Sequence, residues 1–278
     1  MIYYEPGTYE IPLKAKDRCG NETIQNRSVT VVQMEVYAVF DTTDNSLVFF
    51  RDQAGEYTNG EVIGTKTYYA GIETATTVLW RTSVRRLVEH VEFETNVAPA
   101  STASWFAMSK LTSIVALERL NTMNVTDMSS MFEGAKITSL DLSTFDTSNV
   151  TDMSRMFNAC SKLENVDLTS FDTSNVTDMS HMFNDTNIET LDLSSFDTSS
   201  VTNANAMFQK FGVTTRLKTI YASDNFVFTG APLTQNVFID TRLLVGGNGT
   251  TWANTRMTGT YARIDRAGSI GYFTEKGV

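Results

Sequence analysis

The middle of the chain repeats itself: residues 140–165 read LDLSTFDTSNVTDMSRMFNACSKLEN, residues 166–190 read VDLTSFDTSNVTDMSHMFNDTNIET, and residues 191–211 read LDLSSFDTSSVTNANAMFQKF. An anchoring valine recurs at steps of 25, 26 and 25 residues, at Val125, Val150, Val176 and Val201. A fixed period of this size is the sequence signature of a solenoid, whose repeats bury their apolar faces against each other. Solenoids usually bind partners through an extended surface rather than a catalytic cleft.

The apolar positions within one repeat predict a short strand followed by a helical turn. Leu140, Leu142 and Phe145 alternate with polar residues, which is typical of a strand buried on one side. The apolar residues from Val150 to Phe157 lie on one face of a helical turn, for which Thr151 is a plausible N-cap. The predicted fold class is therefore an α/β repeat, a right-handed leucine-rich-repeat-like solenoid with one short strand and one short helical turn per coil.

The rest of the chain divides around this repeat. Residues 1–33 form a predicted β-hairpin; their pattern GTYEIPLKAKDRCGN followed by SVTVV resembles the last two strands of a bacterial Ig-like or PKD-type domain. Residues 34–80 are predicted to form a β-rich N-terminal cap, because the two apolar runs VYAVF and SLVFF flank a turn. We assign residues 81–220 to the solenoid and residues 221–278 to a C-terminal cap, since solenoid ends expose apolar cross-sections that need atypical caps.

The unit LxxLDLSxFDTSNVTDMSxMFxxC also resembles the BspA-like leucine-rich repeat surface proteins of gut and oral bacteria. Residues 140–208 carry this likeness most closely, and similar flanking segments extend it over about residues 35–275. The resemblance implies a leucine-rich-repeat-like module on the outside of a cell or particle. Members of that family are associated with adhesion to host proteins, other bacteria or surfaces, and similar modules occur in phage proteins.

The composition narrows the possible partners. The formal net charge of −10 and the pI near 4.7 argue against nucleic-acid binding, which needs basic residues, and against docking on an anionic membrane. No apolar run reaches the roughly 18 residues of a membrane-spanning helix, and no signal peptide is visible. We therefore expect either a part of a longer extracellular or cell-surface protein, or a virion protein.

The interior of the repeat is predicted from its periodic methionine and phenylalanine residues. Each Met-x-x-Met-Phe group recurs with the repeat, so core packing is a better interpretation than a soft-metal surface. The chain has two cysteines, Cys19 and Cys160, which we interpret as unpaired thiols, with Cys160 in the core.

The strand residues that point away from the core are candidate ligand contacts. One outward ladder comprises Asp141, Asp167, Asp192 and Tyr221, and a second comprises Ser143, Thr169 and Ser194. These positions could form an acidic, hydroxyl-rich binding face, or they could simply keep the sheet soluble, because both follow from the same alternation. A variable surface slot, filled by Ser130, Arg155 and His181 in successive repeats, is another place where specificity could lie.

Catalytic and metal chemistry find little support in the sequence. The other repeated carboxylates, such as Asp146 and Asp152, are better explained by turns and caps than by calcium, because the DxDxDG spacing is absent. The two histidines, His90 and His181, accompany no GxSxG, CxxC, HExxH or P-loop motif, so a hydrolase is the weakest alternative. No catalytic residue, metal or cofactor is expected.

The sequence thus predicts a non-enzymatic binding or adhesion module. Its expected partner is a host or bacterial surface protein or a glycan, bound through the solenoid face. The alternative is a structural or receptor-facing component of a phage particle, such as a head fibre, tail or decoration protein, with other virion proteins as partners.

Overall fold

The computed structural model describes residues 7–16, 22–75, 79, 82–211, 216–228 and 235–276. Within these ranges the chain is almost entirely β-structure. The strands are β1 (Gly7–Lys16), β2 (Glu22–Val31), β3 (Met34–Asp41), β4 (Ser46–Gln53), β5 (Val62–Ile63), β6 (Lys66–Tyr69), β7 (His90–Phe93), β8 (Ser113–Val115), β9 (Ser139–Asp141), β10 (Asn165–Asp167), β11 (Thr190–Leu193), β12 (Thr219–Ala222) and β13 (Thr274–Glu275). The helical elements of the described ranges are α1 (Thr82–Arg85) and two 3-10 turns (Leu117–Arg119 and Gly259–Tyr261).

The N-terminal half contains two kinds of strand pairing. β1 and β2 pair in antiparallel fashion as a two-stranded sheet, which is the hairpin that the alternating residues of 1–33 indicate. The turn expected at residues 17–21 lies outside the described residues, and the likeness to an Ig-like domain stays a prediction. A six-stranded sheet of order β5-β6-β3-β4-β7-β8 follows, antiparallel from β5 to β4 and parallel from β4 to β8.

The repeats continue this parallel arrangement in smaller sheets. β9 pairs with β10, β11 pairs with β12, and β12 pairs with β13, all in parallel. A second row of contacts runs through the turns, where parallel bridges join Asp127 to Asp152, Asp152 to Asp178, and Asp178 to Asn203. Each repeat therefore contacts the next at two places, once at its strand and once at its turn segment.

The predicted fold class is wrong, because the segment after each strand is not helical. Between residues 125 and 208 the backbone forms only strands, bridges, bends and turns. The six-stranded sheet is mixed, and no α/β solenoid with a helical turn per coil is present in the described ranges. Thr151, the expected N-cap, instead donates its hydroxyl to the carbonyl oxygen of Thr126 in the preceding repeat, at 3.2 Å.

Hydrogen bonding between repeats explains why no helix forms here. A helix would direct these N–H groups to carbonyls four residues earlier in the same segment. Alternate N–H groups instead donate to the next repeat at 2.8–3.0 Å: Met153 to Asp178, Arg155 to Ser180, Phe157 to Met182, and Ala159 to Asn184. Two residues per segment, Arg155 and Ala159 here, adopt left-handed backbone conformations with φ of 57° and 56°. That conformation turns the chain so that every second N–H group faces the adjacent repeat.

The core follows the periodic apolar positions, as the sequence predicts. All seven methionines of the repeat are fully buried: Met128, Met131, Met153, Met156, Met179, Met182 and Met207. The phenylalanine rings stack from one repeat to the next, with Phe157 6.0 Å from Phe132 and 5.6 Å from Phe183 between ring centroids. Cys160 is buried and unpaired, as expected, and burial raises the pKa of its thiol to about 12. Cys19 lies outside the described residues.

Buried threonines connect the repeats at a third place. Thr173 has no exposed surface, donates its hydroxyl to the Asp197 carbonyl at 2.7 Å, and accepts the Asp197 N–H at 2.9 Å. Thr147 makes the same two bonds to Asp172 one repeat earlier. One hydroxyl thus satisfies both backbone groups of a residue in the neighbouring repeat.

We expect Thr173→Val to lower the free energy of unfolding by about 1–3 kcal/mol, because valine leaves two backbone groups of Asp197 without partners. Urea denaturation measures the loss. Thr177→Val is the matched control, since the exposed Thr177 hydroxyl bonds the Thr151 carbonyl at 3.1 Å where water can replace it. Equal losses in the two variants would contradict the special role of the buried hydroxyl.

The C-terminal region packs around the buried carboxylate of Asp265. Asp265 is 5% exposed, and its Oδ2 accepts the N–H groups of Asn248 and Thr250 at 3.0 and 2.9 Å. Its Oδ1 accepts the Thr250 hydroxyl at 2.7 Å and the Gly271 N–H at 3.3 Å. Gly271 is required here, because a Cβ atom would lie 2.1 Å from the carbonyl oxygen of Arg263.

Candidate functional site

The structure places the first outward ladder on one side of the parallel strands. Asp141 and Asp167 are direct partners in the β9–β10 pairing, and Asp192 and Tyr221 are partners in the β11–β12 pairing. The first two carboxylates are exposed, whereas Asp192 and Tyr221 are partly buried. Paired parallel strands lie about 4.8 Å apart, so the two residues of each pair are within reach of one ligand.

Residues of the second outward ladder donate hydrogen bonds to the aspartates of the first. In each repeat the hydroxyl and the N–H of the residue two positions later donate to Oδ1 of the ladder aspartate. The hydroxyl distances are 2.6 Å for Ser143, 2.7 Å for Thr169 and 2.7 Å for Ser194. These bonds fix each carboxylate and lower the pKa of Asp141, first through the Ser143 hydroxyl and then through the Ser143 N–H.

A shallow groove of about 600 Å³ crosses the outward side of strands β9, β10, β11 and β12. Its walls include the three ladder carboxylates, Tyr221 and the side chain of Lys276. The charged groups of the groove are thus mainly acidic, and one aromatic ring lies at its β12 end. This surface, which we call the ladder groove, contains the predicted contacts Asp141, Asp167, Asp192, Tyr221 and Thr169.

Lys276 is a groove residue that the sequence does not reveal. Its Nζ bonds Oδ2 of Asp192, although 84 residues separate the two. Burial raises the pKa of Asp192, but the bonds from Lys276 and Ser194 outweigh burial and leave that pKa lowered. The same carboxylate raises the pKa of Lys276. The pair depends on β13, which pairs with β12 and delivers the C-terminal segment to the groove.

The variable slot lies in the turn segments, away from the ladder groove. Ser130, Arg155 and His181 all have left-handed backbones, with φ of 54°, 57° and 57°. Their side chains are partly or fully exposed. Partial burial lowers the pKa of His181, and the positive charge of Arg155 lowers it further. The three residues therefore lie in one row of the turn segments. They line neither the ladder groove nor the cleft beside β8.

The structure also brings together a serine and a histidine that the sequence did not pair. His90 on β7 lies beside Ser113 on β8, with 2.7 Å between Nδ1 and Oγ. Ser113 lines a cleft of about 400 Å³ that opens where β8 and β9 do not pair. Serine hydrolases add a group that orients the histidine and donors that hold the oxyanion. Among the described residues, no carboxylate accepts a hydrogen bond from His90.

A metal site and a membrane-spanning helix each require particular features of the described residues. In the ranges that the structure describes, no group of three or more His, Cys, Asp and Glu side chains is arranged to hold a metal ion. The repeated turn carboxylates bind backbone N–H groups instead, as Asp152 does with Ser154 at 2.8 Å. None of the helices in the described part of the chain has the length and apolar character that crossing a membrane requires.

Comparison with known proteins gives one family. Residues 100–218 match the family described as "Mycoplasma protein of unknown function, DUF285", which covers fewer than half of the 278 residues. The expected family, the BspA-like leucine-rich repeat surface proteins, is therefore wrong. No curated protein and no solved structure matches the chain. The matched segment contains Asp141, Asp167 and Asp192 but ends before Tyr221 and Lys276.

Proposed function

We propose that this protein is a non-enzymatic binding module that attaches to a surface-exposed protein or glycan through the ladder groove. The observation that carries the proposal is the groove itself, an open depression of about 600 Å³ lined by carboxylates at equivalent positions of successive repeats. Repetition of one side-chain type along a sheet suits an extended ligand better than a small substrate.

The packing supports a rigid platform for such binding. The side chains beneath the outward residues, such as Leu140, Leu168 and Leu191, are at most 5% exposed. Hydroxyl groups of the second ladder hold the carboxylates in place, so binding a ligand would cost little side-chain conformational entropy. A pre-organised surface of this kind suits recognition, because its acceptor groups are already oriented before a ligand binds.

A steric block of the groove tests the proposal. Asn165→Trp places a bulky uncharged ring at an exposed outward position of β10, without changing net charge. We expect it to reduce binding to glycan arrays or to proteins captured from cell-surface extracts by about tenfold or more, because the ring fills the groove. Ser161→Trp, at an exposed position that does not line the groove, is the matched control.

Binding that survives Asn165→Trp unchanged would refute the ladder groove as the binding surface. Location at a cell surface stays a prediction, and so does the alternative role in a phage particle. No observation from the described residues favours the virion role.

A further inference from the structure

We propose that Asp141 and Asp167 bind lysine side chains of a protein partner, in the way that Asp192 already binds Lys276. This inference rests on the proposed function, because it names the chemistry of the partner that the ladder groove accepts.

The three carboxylates are equivalent in their local hydrogen bonding. In each, Oδ1 accepts an N–H and a hydroxyl from the residue two positions later: Ser143, Thr169 and Ser194. This arrangement leaves Oδ2 to face outward. Oδ2 of Asp192 holds Lys276. Within the described ranges, Oδ2 of Asp141 and of Asp167 has neither a hydrogen-bond nor an ion-pair partner.

Lys276 is the independent observation that identifies the ligand group. It reaches the ladder from a different strand, so its ammonium is not part of the repeat that builds the carboxylates. The negative charge of Asp167 also contributes to raising the pKa of Lys276, which places the ammonium within electrostatic reach of two ladder positions. The chain thus already contains one ammonium seated on one of three matching sites.

The geometry favours lysine over arginine. A guanidinium pairs best when it donates in parallel to both oxygens of a carboxylate. The chain shows this elsewhere, where Arg266 donates to Oδ1 and Oδ2 of Asp224 at 3.0 and 3.4 Å. In the ladder, Oδ1 is already occupied, so a single oxygen is available. A compact ammonium suits one oxygen, whereas the guanidinium fork would have to displace the second-ladder hydroxyl.

Charge and shape point to a protein segment as the source of the lysines. The net charge of −10 attracts cationic partners over the whole surface and speeds their association. The ladder groove is open and crosses four strands, so it can hold a stretch of chain with several side chains. Lys276 itself arrives on such a stretch, directly after β13.

The test measures binding of three labelled peptides to the full chain by fluorescence anisotropy. The probes are Gly-Lys-Gly-Lys-Gly with blocked ends, its acetyl-lysine version and its arginine version, at about 20 and 150 mM salt. We expect the lysine peptide to bind most tightly and the acetyl-lysine peptide to bind at least about tenfold more weakly, because acetylation removes the charge. Higher salt should weaken the lysine complex.

Variants of the protein locate the binding. Asp141→Asn together with Asp167→Asn should weaken lysine-peptide binding by about fivefold or more, while each asparagine can still accept the second-ladder bonds. Asp146→Asn together with Asp172→Asn is the matched control, since these exposed carboxylates make the same local bonds to Ser148 and Ser174 outside the groove. Lys276→Met should strengthen binding about two- to fivefold by freeing Asp192.

Equal binding of the acetyl-lysine peptide, tighter binding of the arginine peptide, or an equal loss in the control double variant would each overturn the inference. If the lysine peptide does not bind but Asn165→Trp still blocks a surface partner, the inference fails and the proposed function stands. If Asn165→Trp leaves binding to surface partners unchanged while Asp141→Asn with Asp167→Asn weakens peptide binding, the proposed function fails. The claim that the lysines belong to a protein partner then fails as well. Circular dichroism of every variant confirms that the fold is retained.

Discussion

Replacing Phe157 with alanine is expected to lower the free energy of unfolding by about 3–5 kcal/mol. The ring has no exposed surface and stacks between Phe132 and Phe183, so its removal leaves a cavity in the middle of a continuous aromatic row. The stacked contacts with both neighbours are lost together, which places the expected loss at the high end for a core residue. Urea denaturation followed by tryptophan fluorescence or circular dichroism measures the change.

Phe211→Ala is the control for this prediction. Phe211 is 63% exposed, so the same change of side chain removes almost no buried area there. We expect the free energy of unfolding to change by less than about 0.5 kcal/mol. A similar loss in both variants would show that the aromatic row does not stabilise the protein.

The second large effect is expected at Asp265. Asp265→Ala removes the acceptor for three N–H groups and one hydroxyl in a buried site, and should lower the free energy of unfolding by at least about 3 kcal/mol. Asp224→Ala is the comparison, because that carboxylate is exposed and pairs with Arg266 at the surface. We expect a much smaller loss for Asp224→Ala, since solvent screens exposed ion pairs.

The contribution of Asp265 should also depend on pH. Burial raises the pKa of its carboxyl, but the bonds from Thr250, Gly271 and Asn248 outweigh burial and leave the folded-state pKa below the ordinary value. The stabilisation is therefore complete above the unfolded-state pKa near 4 and is lost as pH falls through the lower folded-state pKa. The stability difference between the wild type and Asp265→Ala should stay constant from about pH 7 to pH 5 and narrow below about pH 4. A difference that widens on acidification would contradict this assignment.

The sequence predicted the interior well but not the path of the backbone. The burial of Met153, Met156 and Phe157 follows from a period that either a helix or a turn can satisfy. Hydrogen bonds between repeats decide between the two, and they depend on left-handed conformations at Arg155 and Ala159. Neither residue type favours that conformation, and the signal lies only in the equivalent positions of neighbouring repeats, at Gly134, His181 and Asp185.

From the sequence, only those site residues that recur in successive repeats could be predicted. Asp141, Asp167 and Asp192 share one outward position because alternation along a strand fixes which side each residue faces. Lys276 was missed because its contact with Asp192 depends on the pairing of distant strands. The His90–Ser113 pair was missed for a similar reason, since the register between β7 and β8 brings the two together.

The hydrogen bonds between turn segments have a consequence for how such a protein can change in length. They join alternate backbone N–H groups to carbonyl oxygens about one period away, as the Phe157 N–H joins Met182 and the Phe183 N–H joins Met207. If one whole period is removed or duplicated, every N–H donor still faces a carbonyl acceptor at the same position of the neighbouring repeat. If a few residues are inserted into a turn segment, the row of hydrogen bonds between the turn segments is misaligned. Lengthening by complete units is therefore the tolerated route, and each added unit would extend the ladder groove by one more carboxylate.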